Sequence, residues 1–241
     1  MSNFETLIYE KRDNIAYVTL NRPHVLNVYN RNMRDDFHQV LRAIGDDAEI
    51  MAVILQGAGE KAFCAGADLK DFLTAASPTQ AREALSERNI WLEFLNLPQP
   101  LIAALHGYVL GSGIEIALFC DIRVAADDAQ FGLPEAGLGI IPGAGGTQNL
   151  PRATSQGSAL ELILTGRWIG AWEAFHRGLV NHVVSKRELI PSAERIARRI
   201  TTIDPLAIRM VKQALWRGSD LPLAKGLELE QKLAQYYLTH R

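Results

Sequence analysis

Two carboxylates set in apolar, glycine-rich sequence are the residues of this chain best suited to chemistry. Glu115 lies in Gly113-Ile114-Glu115-Ile116-Ala117-Leu118-Phe119, where every other position is apolar or small. Glu135 follows a proline in Phe131-Gly132-Leu133-Pro134-Glu135-Ala136-Gly137. Each acid has a glycine cluster nearby, Gly111-Ser112-Gly113 for the first and Gly143 to Gly146 for the second. A carboxylate among apolar neighbours tends to a raised pKa, which suits proton transfer near neutral pH. Glycines let backbone N–H groups come close to a reacting oxygen. The pattern is that of acid/base chemistry beside an anion or oxyanion site. Other readings stay open at this point. Glu115 also fits a buried ion pair with Arg123 or Arg152, and Glu135 alone fits an exposed loop acid.

Several other constellations carry less. Ala62 to Leu69 puts small residues in a turn before a short helix over Asp68 to about Leu73, whose first N–H groups have no intrahelical partner. That turn is either an anion or oxyanion site or plain structure. Gly143-Ala144-Gly145-Gly146-Thr147 lacks the lysine of a nucleotide-triphosphate loop. Gly111-Ser112-Gly113 is no nucleophile elbow, because Leu110 stands where that pattern needs glycine. A Ser112–His106 dyad is conceivable but has little behind it. His24, His38, His176, His182 and His240 show no ligand spacing, so no metal is expected.

The elements that must position these groups follow from hydrophobic patterning. Ile8–Glu10 and Ile15–Leu20 are predicted as a hairpin stopped by Asn21-Arg22-Pro23. Asn30 caps a helix in which Met33, Phe37, Val40, Leu41 and Ile44 share one face. Ala52–Leu55, Leu101–Leu105 and Ile122–Ala126 are short apolar runs, as expected of strands buried on both faces. Ser77-Pro78-Thr79-Gln80 opens a helix predicted to reach Leu95. Helices are predicted over Gly157–Leu164 and Ala171–Arg177, then a last strand over Leu179–Val184. From Ile190 onward the pattern is purely helical. We therefore divide the chain into an α/β core, residues 1–188, and a helical region, residues 189–241.

Composition sets limits. With 48% hydrophobic and 22% charged residues, the 241-residue chain can bury one sizeable core. A formal net charge of -2 argues for neither nucleic acid nor a membrane surface as partner. The two cysteines, Cys64 and Cys120, lack metal spacing and fit reduced, buried thiols of a cytoplasmic protein. The N-terminal residues lack an apolar signal region, and no apolar run is long enough to span a membrane.

Taken together, Ala62–Leu69 (AFCAGADL), His106–Glu115 (HGYVLGSGIE), Cys120-Asp121 and Phe131–Leu150 (FGLPEAGLGIIPGAGGTQNL) resemble the crotonase superfamily, and within it the enoyl-CoA hydratases. The resemblance runs from the hairpin to about Leu215. It implies a spiral core of ββα units and a helical C-terminal region that builds a homotrimer, usually stacked as a hexamer. It implies an acyl-CoA substrate, with no cofactor beyond the coenzyme A that the substrate carries. By motif match, the thioester oxygen lies between the N–H groups of Ala67 and Ser112. The family usually has glycine at the position of Ser112. Glu115 and Glu135 match the two catalytic acids, and contacts to coenzyme A and substrate fall on His24, Leu26, Ala65, Asp68, Leu69, Lys70 and Gly143. Both acids together imply hydration of a 2,3 double bond. The alternatives are another crotonase reaction, such as double-bond isomerisation, or a non-catalytic acyl-CoA- or RNA-binding role.

Overall fold

The computed structural model describes residues 4–68, 70–71 and 89–241. Its centre is a six-stranded sheet in the order β1-β2-β3-β5-β7-β10, formed by Leu7–Arg12, Ile15–Leu20, Ala52–Gly57, Leu101–Leu105, Ile122–Ala126 and His182–Val184. Only the β1–β2 hairpin is antiparallel; the remaining pairs run parallel. A second sheet, β4-β6-β8-β9, uses Ala62–Cys64, Tyr108–Leu110, Gln130–Gly132 and Ile169–Gly170.

The two sheets interlock as a spiral. Each of β3, β5 and β7 turns a corner into β4, β6 or β8, so three successive strand pairs stack in the same order in both sheets. The corners bond to one another: Phe63 N donates to His106 O at 2.8 Å, and Gln130 N donates to Gly107 O at 2.8 Å. Gly107 sits at such a corner with φ of 53°, and a Cβ there would lie 2.0 Å from Lys61 O. No other residue fits that contact. The core strands present apolar side chains to both faces, which explains their unbroken apolar sequence. Val53, Leu55, Ala103 and Leu105 face helix α1 (Arg31–Asp46) and the second sheet, whereas Ala52, Ile54, Ile102 and Ala104 face the other side.

Asn30 caps α1 through its side chain, as its sequence position implied. The helix expected to run from Ser77 to Leu95 is not continuous: Asn89, with a non-helical ψ of 84°, caps a separate helix α2, Ile90–Asn96, by accepting from Leu92 N. Ser77–Gln80, and Leu73 at the end of the earlier turn, lie outside the described residues. Helices α3 (Ser112–Leu118), α4 (Gly146–Ala153), α5 (Gln156–Thr165) and α6 (Ala171–His176) follow. The last strand is shorter than predicted. Leu179 N and Val180 N both donate to Ala174 O, so these buried residues close α6 before pairing begins at His182.

Apolar packing continues past residue 188. Helix α7, Leu189–Ile200, lays Leu189, Ala193 and Ala197 on the open face of the large sheet. Helices α8 (Pro205–Gly218) and α9 (Leu223–His240) instead pack on each other, and neither contains a buried residue. Asp121 ties α8 to the body by accepting from Lys212 Nζ at 2.8 Å and from Trp216 Nε1 at 2.5 Å.

Candidate active site

Helix α3 starts directly after β6, at a backbone reversal that Gly111 makes with φ of 49°. All of its residues are buried, so it carries Glu115 into the interior, leaving the side chain only 2% exposed. Neither Arg123 nor Arg152 reaches it. Arg123 donates to Leu179 O and Cys120 O, and Arg152 pairs with Asp220. Glu115 Oε1 instead accepts the backbone N–H groups of Ala144, at 2.9 Å, and Gly146, at 3.0 Å. The second glycine cluster is thus a clamp on the first carboxylate. Gly146 must be glycine here, since a Cβ would lie 3.0 Å from Glu115 Oε1 and 2.9 Å from Pro142.

Burial is the main influence on Glu115 and pushes its pKa up to about 7. The two N–H bonds and the Ser112 hydroxyl pull it back, while the charge of Glu135 pushes it further up. Glu135 arrives from another segment, on the first turn of a 3-10 helix over Pro134–Leu138 anchored by buried Leu133. Its Oε1 lies 2.9 Å from the point a Cβ on Gly111 would occupy, which puts it at the N-terminus of α3. Its Oε2 is buried without a hydrogen-bond partner among the described residues, and burial raises its pKa as well. A buried polar atom left unpaired is uncommon in a native fold and marks a place where another molecule fits. It is not the exposed loop acid that its sequence alone allowed.

Two backbone donors adjoin this pair. The parallel bridge between Tyr29 and Ala67 uses Gly66 O and Asp68 N, leaving the N–H of Ala67 directed away from it. Ser112 opens α3, so its N–H has no intrahelical acceptor. The segments carrying them touch: a Cβ on Gly111 would lie 3.4 Å from Gly66 Cα. Donors, carboxylates and an unpaired oxygen therefore gather at one place. An oxyanion there would be met by N–H groups, and a water by two acids of unlike environment.

The remaining sequence-derived positions divide into two groups. His24 and Leu26 line a cleft of about 290 Å³ with Asn27, Lys61 and Ala62. Ala65 N donates to Leu26 O at 3.1 Å, joining that cleft to the segment leading to Ala67. Asp68 lies 3.5 Å from the Arg22 guanidinium, and Lys70 is exposed and helical. Leu69 lies outside the described residues. Gly143 is exposed and directly precedes Ala144, which with Gly146 makes the contact to Glu115. His106 turns away from Ser112, its Nε2 lying 3.0 Å from Gly59 O, so the Ser112–His106 dyad is absent.

Two features escaped sequence reading: the clamp on Glu115, and an aromatic cluster of Tyr29, Trp91, Phe94 and Phe119 behind it. Ring centroids are 5.7 Å apart for Tyr29 and Trp91 and 5.5 Å for Trp91 and Phe119. The clamp left a faint signal, glycines before a helix; the cluster's members are scattered along the chain.

A family model described as enoyl-CoA hydratase/isomerase matches residues 10–241. The putative enoyl-CoA hydratase/isomerase YngF of Bacillus subtilis is 46% identical over 223 residues, covering 92% of this chain and 85% of that one. A short-chain-enoyl-CoA hydratase of Clostridium acetobutylicum is 42% identical, with coverages of 94% and 87%. The crystal structure of an enoyl-CoA hydratase from Bacillus anthracis superposes with a TM-score of 0.94 at 40% identity, covering 98% of this chain and 92% of that one.

Proposed function

The chain belongs to the enoyl-CoA hydratase/isomerase family, and on that premise we propose that Glu115 and Glu135 add water across the 2,3 double bond of an enoyl-CoA. The observation that carries this reading is the pairing of a clamped carboxylate with a second acid whose buried oxygen has no partner. In this mechanism the thioester oxygen accepts from the N–H groups of Ala67 and Ser112, which stabilise the enolate-like charge that builds there. A water between the acids loses a proton to ionised Glu115 as its oxygen bonds to C3. Protonated Glu135 delivers a proton to C2, and the product is a 3-hydroxyacyl-CoA. The two acids titrate as a coupled pair. Coenzyme A enters as part of the substrate, with His24, Leu26, Ala65, Asp68, Leu69, Lys70 and Gly143 as its proposed contacts; no other cofactor has a step to perform. The test is incubation with crotonyl-CoA, following conjugated-enone absorbance. Hydration removes that absorbance, whereas an isomerase leaves it and instead creates it from a 3-enoyl-CoA.

We further propose that residues 1–188 carry the site and that residues 189–241 build a homotrimer or a pair of trimers, with α7 also covering the sheet. Leu215 is 65%, Leu223 79% and Leu238 61% exposed on α8 and α9, more apolar surface than a two-helix layer leaves in water unaided. Light scattering at micromolar concentration should return a multiple of three protomers; a monomer would refute the assembly. Among the described residues no helix is long and apolar enough to cross a membrane. With two free, buried cysteines, a cytoplasmic setting is the proposed one.

A further inference from the structure

Trp168 is 47% exposed, so burial in the core does not account for its place. What it does is cover Gly132. A Cβ on Gly132 would lie 2.4 Å from Trp168 Cδ1 and 2.9 Å from Nε1. The Gly132 backbone is not left-handed, so the indole, and not the φ angle, is what requires glycine there. Strand pairing sets up the contact. β8 and β9 run antiparallel with Phe131 opposite Ile169, which brings Gly132 opposite Trp168. The Tyr108 ring meets the indole edge-on, with centroids 5.7 Å apart. The turn that carries Trp168 is itself held. Arg167 donates to Glu161 Oε1 at 2.8 Å and to Glu173 Oε1 at 2.6 Å, tying α5 to α6 across it.

Gly132 is also the first residue of a bracket around Gly111. Gly111 N donates to Gly132 O at 2.9 Å. Three residues further on, Glu135 Oε1 lies 2.9 Å from the point a Cβ on Gly111 would occupy. Gly111 makes the reversal that presents the Ser112 N–H. The four residues from Gly132 to Glu135 thus hold the proposed oxyanion turn at one end and carry the proposed proton donor at the other. The far side of the Glu135 turn is open. Pro134–Leu138 contains no buried residue, and Cβ atoms on Gly137 and Gly139 would meet nothing within 4 Å. Its support comes from α5, which packs against it, and from the residues before it, of which Trp168 covers the first.

We propose that Trp168 is a positioning residue: by covering Gly132 it holds the Gly132–Glu135 bracket on Gly111, and so keeps the Ser112 N–H and the Glu135 carboxylate in register with each other. The proposal rests on the hydratase reading and concerns how that site is held. Trp168 acts through Gly132, and a displacement of catalytic groups by about 1 Å costs up to about 10²-fold in rate.

The test measures kcat and KM for crotonyl-CoA in the full-length protein, Trp168→Ala, Trp168→Phe, Gly132→Ala and the double variant Gly132→Ala/Trp168→Ala. Calorimetric titration with butyryl-CoA, which has no double bond to hydrate, counts the intact sites. Trp168→Ala should lower kcat per bound site about 10-fold or more, with KM and butyryl-CoA affinity changed by less than about 3-fold. Trp168→Phe, which keeps a ring over the glycine, should recover most of the loss. Gly132→Ala should also lower kcat, because its Cβ displaces the indole. In the Trp168→Ala background that methyl should cost less than it does alone, since the clash is gone. If Trp168→Ala does not fold, as judged by circular dichroism, Trp168→Leu decides the matter with the same split between kcat and KM. Unchanged kcat per bound site, additive effects of the two substitutions, or a loss that appears only together with a change in protomer number by light scattering would overturn the proposal while hydration stood. Failure of the unmodified protein to hydrate crotonyl-CoA would instead sink the hydratase reading, and the proposal with it.

Discussion

Glu115→Gln should lower the rate of crotonyl-CoA hydration about 10²–10⁴-fold, the usual cost of losing one acid or base, while acyl-CoA affinity changes little. Glutamine keeps the size of the side chain, and its carbonyl can still accept the N–H groups of Ala144 and Gly146. What it loses is the ability to take a proton. Glu135→Gln should have an effect of similar size, because the acid with the unpaired buried oxygen is the proposed proton donor to C2. The two act as a unit, so the double variant should be little worse than either single one. Retention of most hydration activity by Glu115→Gln would replace this mechanism with a single-acid isomerase centred on Glu135.

The pH dependence gives the same experiment a second readout. Burial raises the Glu115 pKa from 4.5 to about 7, and the proposed base must be ionised, so kcat/KM should fall as pH drops below about 7. The linkage to folding has the opposite sense. A carboxyl group whose folded pKa is raised favours the folded state when protonated. That contribution is fully present below about 4.5 and is lost as pH rises through about 7. Glu115→Gln, permanently neutral, should therefore gain thermal stability relative to the unmodified protein at pH 8 more than at pH 4.5. Such a cost in stability is what the proposed catalytic role of Glu115 requires.

Ser112→Pro should reduce turnover about 10²–10³-fold, the effect of deleting one oxyanion donor. Proline is tolerated at the first position of a helix, where the N–H has no helical acceptor, so α3 should still form. Ser112→Gly is the control. It keeps the donor and removes only the hydroxymethyl group, so turnover should stay within a few fold. The Ser112 hydroxyl also holds the Glu115 pKa down. Ser112→Gly should thus move the acidic limb of the pH profile upward, a change that loss of packing alone would not cause. Equal, mild effects of both substitutions would remove Ser112 from the proposed oxyanion site.

Much of this architecture was legible in the chain itself, and the legible parts share a physical cause. Strands such as Ala52–Gly57 and Leu101–Leu105 announce themselves because burial on both faces demands unbroken apolar sequence. The Asn30 cap is local chemistry, a side chain answering an orphan N–H three residues away. The motif order around Glu115 and Glu135 carried the family resemblance. Boundaries were less legible where nonlocal contacts set them. Leu179 and Val180 belong to an apolar run, yet their N–H groups are taken by Ala174 before the sheet can pair them. Helix α7 follows the same pattern as α8 and α9 in sequence, but only α7 finds the open face of the sheet.

The sequence by itself determined which groups can do chemistry. It supplied two acids in apolar surroundings, glycines where backbone must come close, and strands that need cover on both sides. Only the tertiary structure decided what each group meets. Nothing in the local sequence makes Glu115 prefer Ala144 and Gly146 over Arg123 or Arg152, since all four are far from it along the chain or committed elsewhere by the fold. The spiral brings Gly66 against Gly111 and sets Glu135 beside the start of α3, because the corners of successive turns hydrogen-bond to one another. It also assembles Tyr29, Trp91 and Phe119 into one wall from three separate segments. Composition and periodicity record which side chains avoid water, but the partner each one finds depends on contacts between residues distant in the chain.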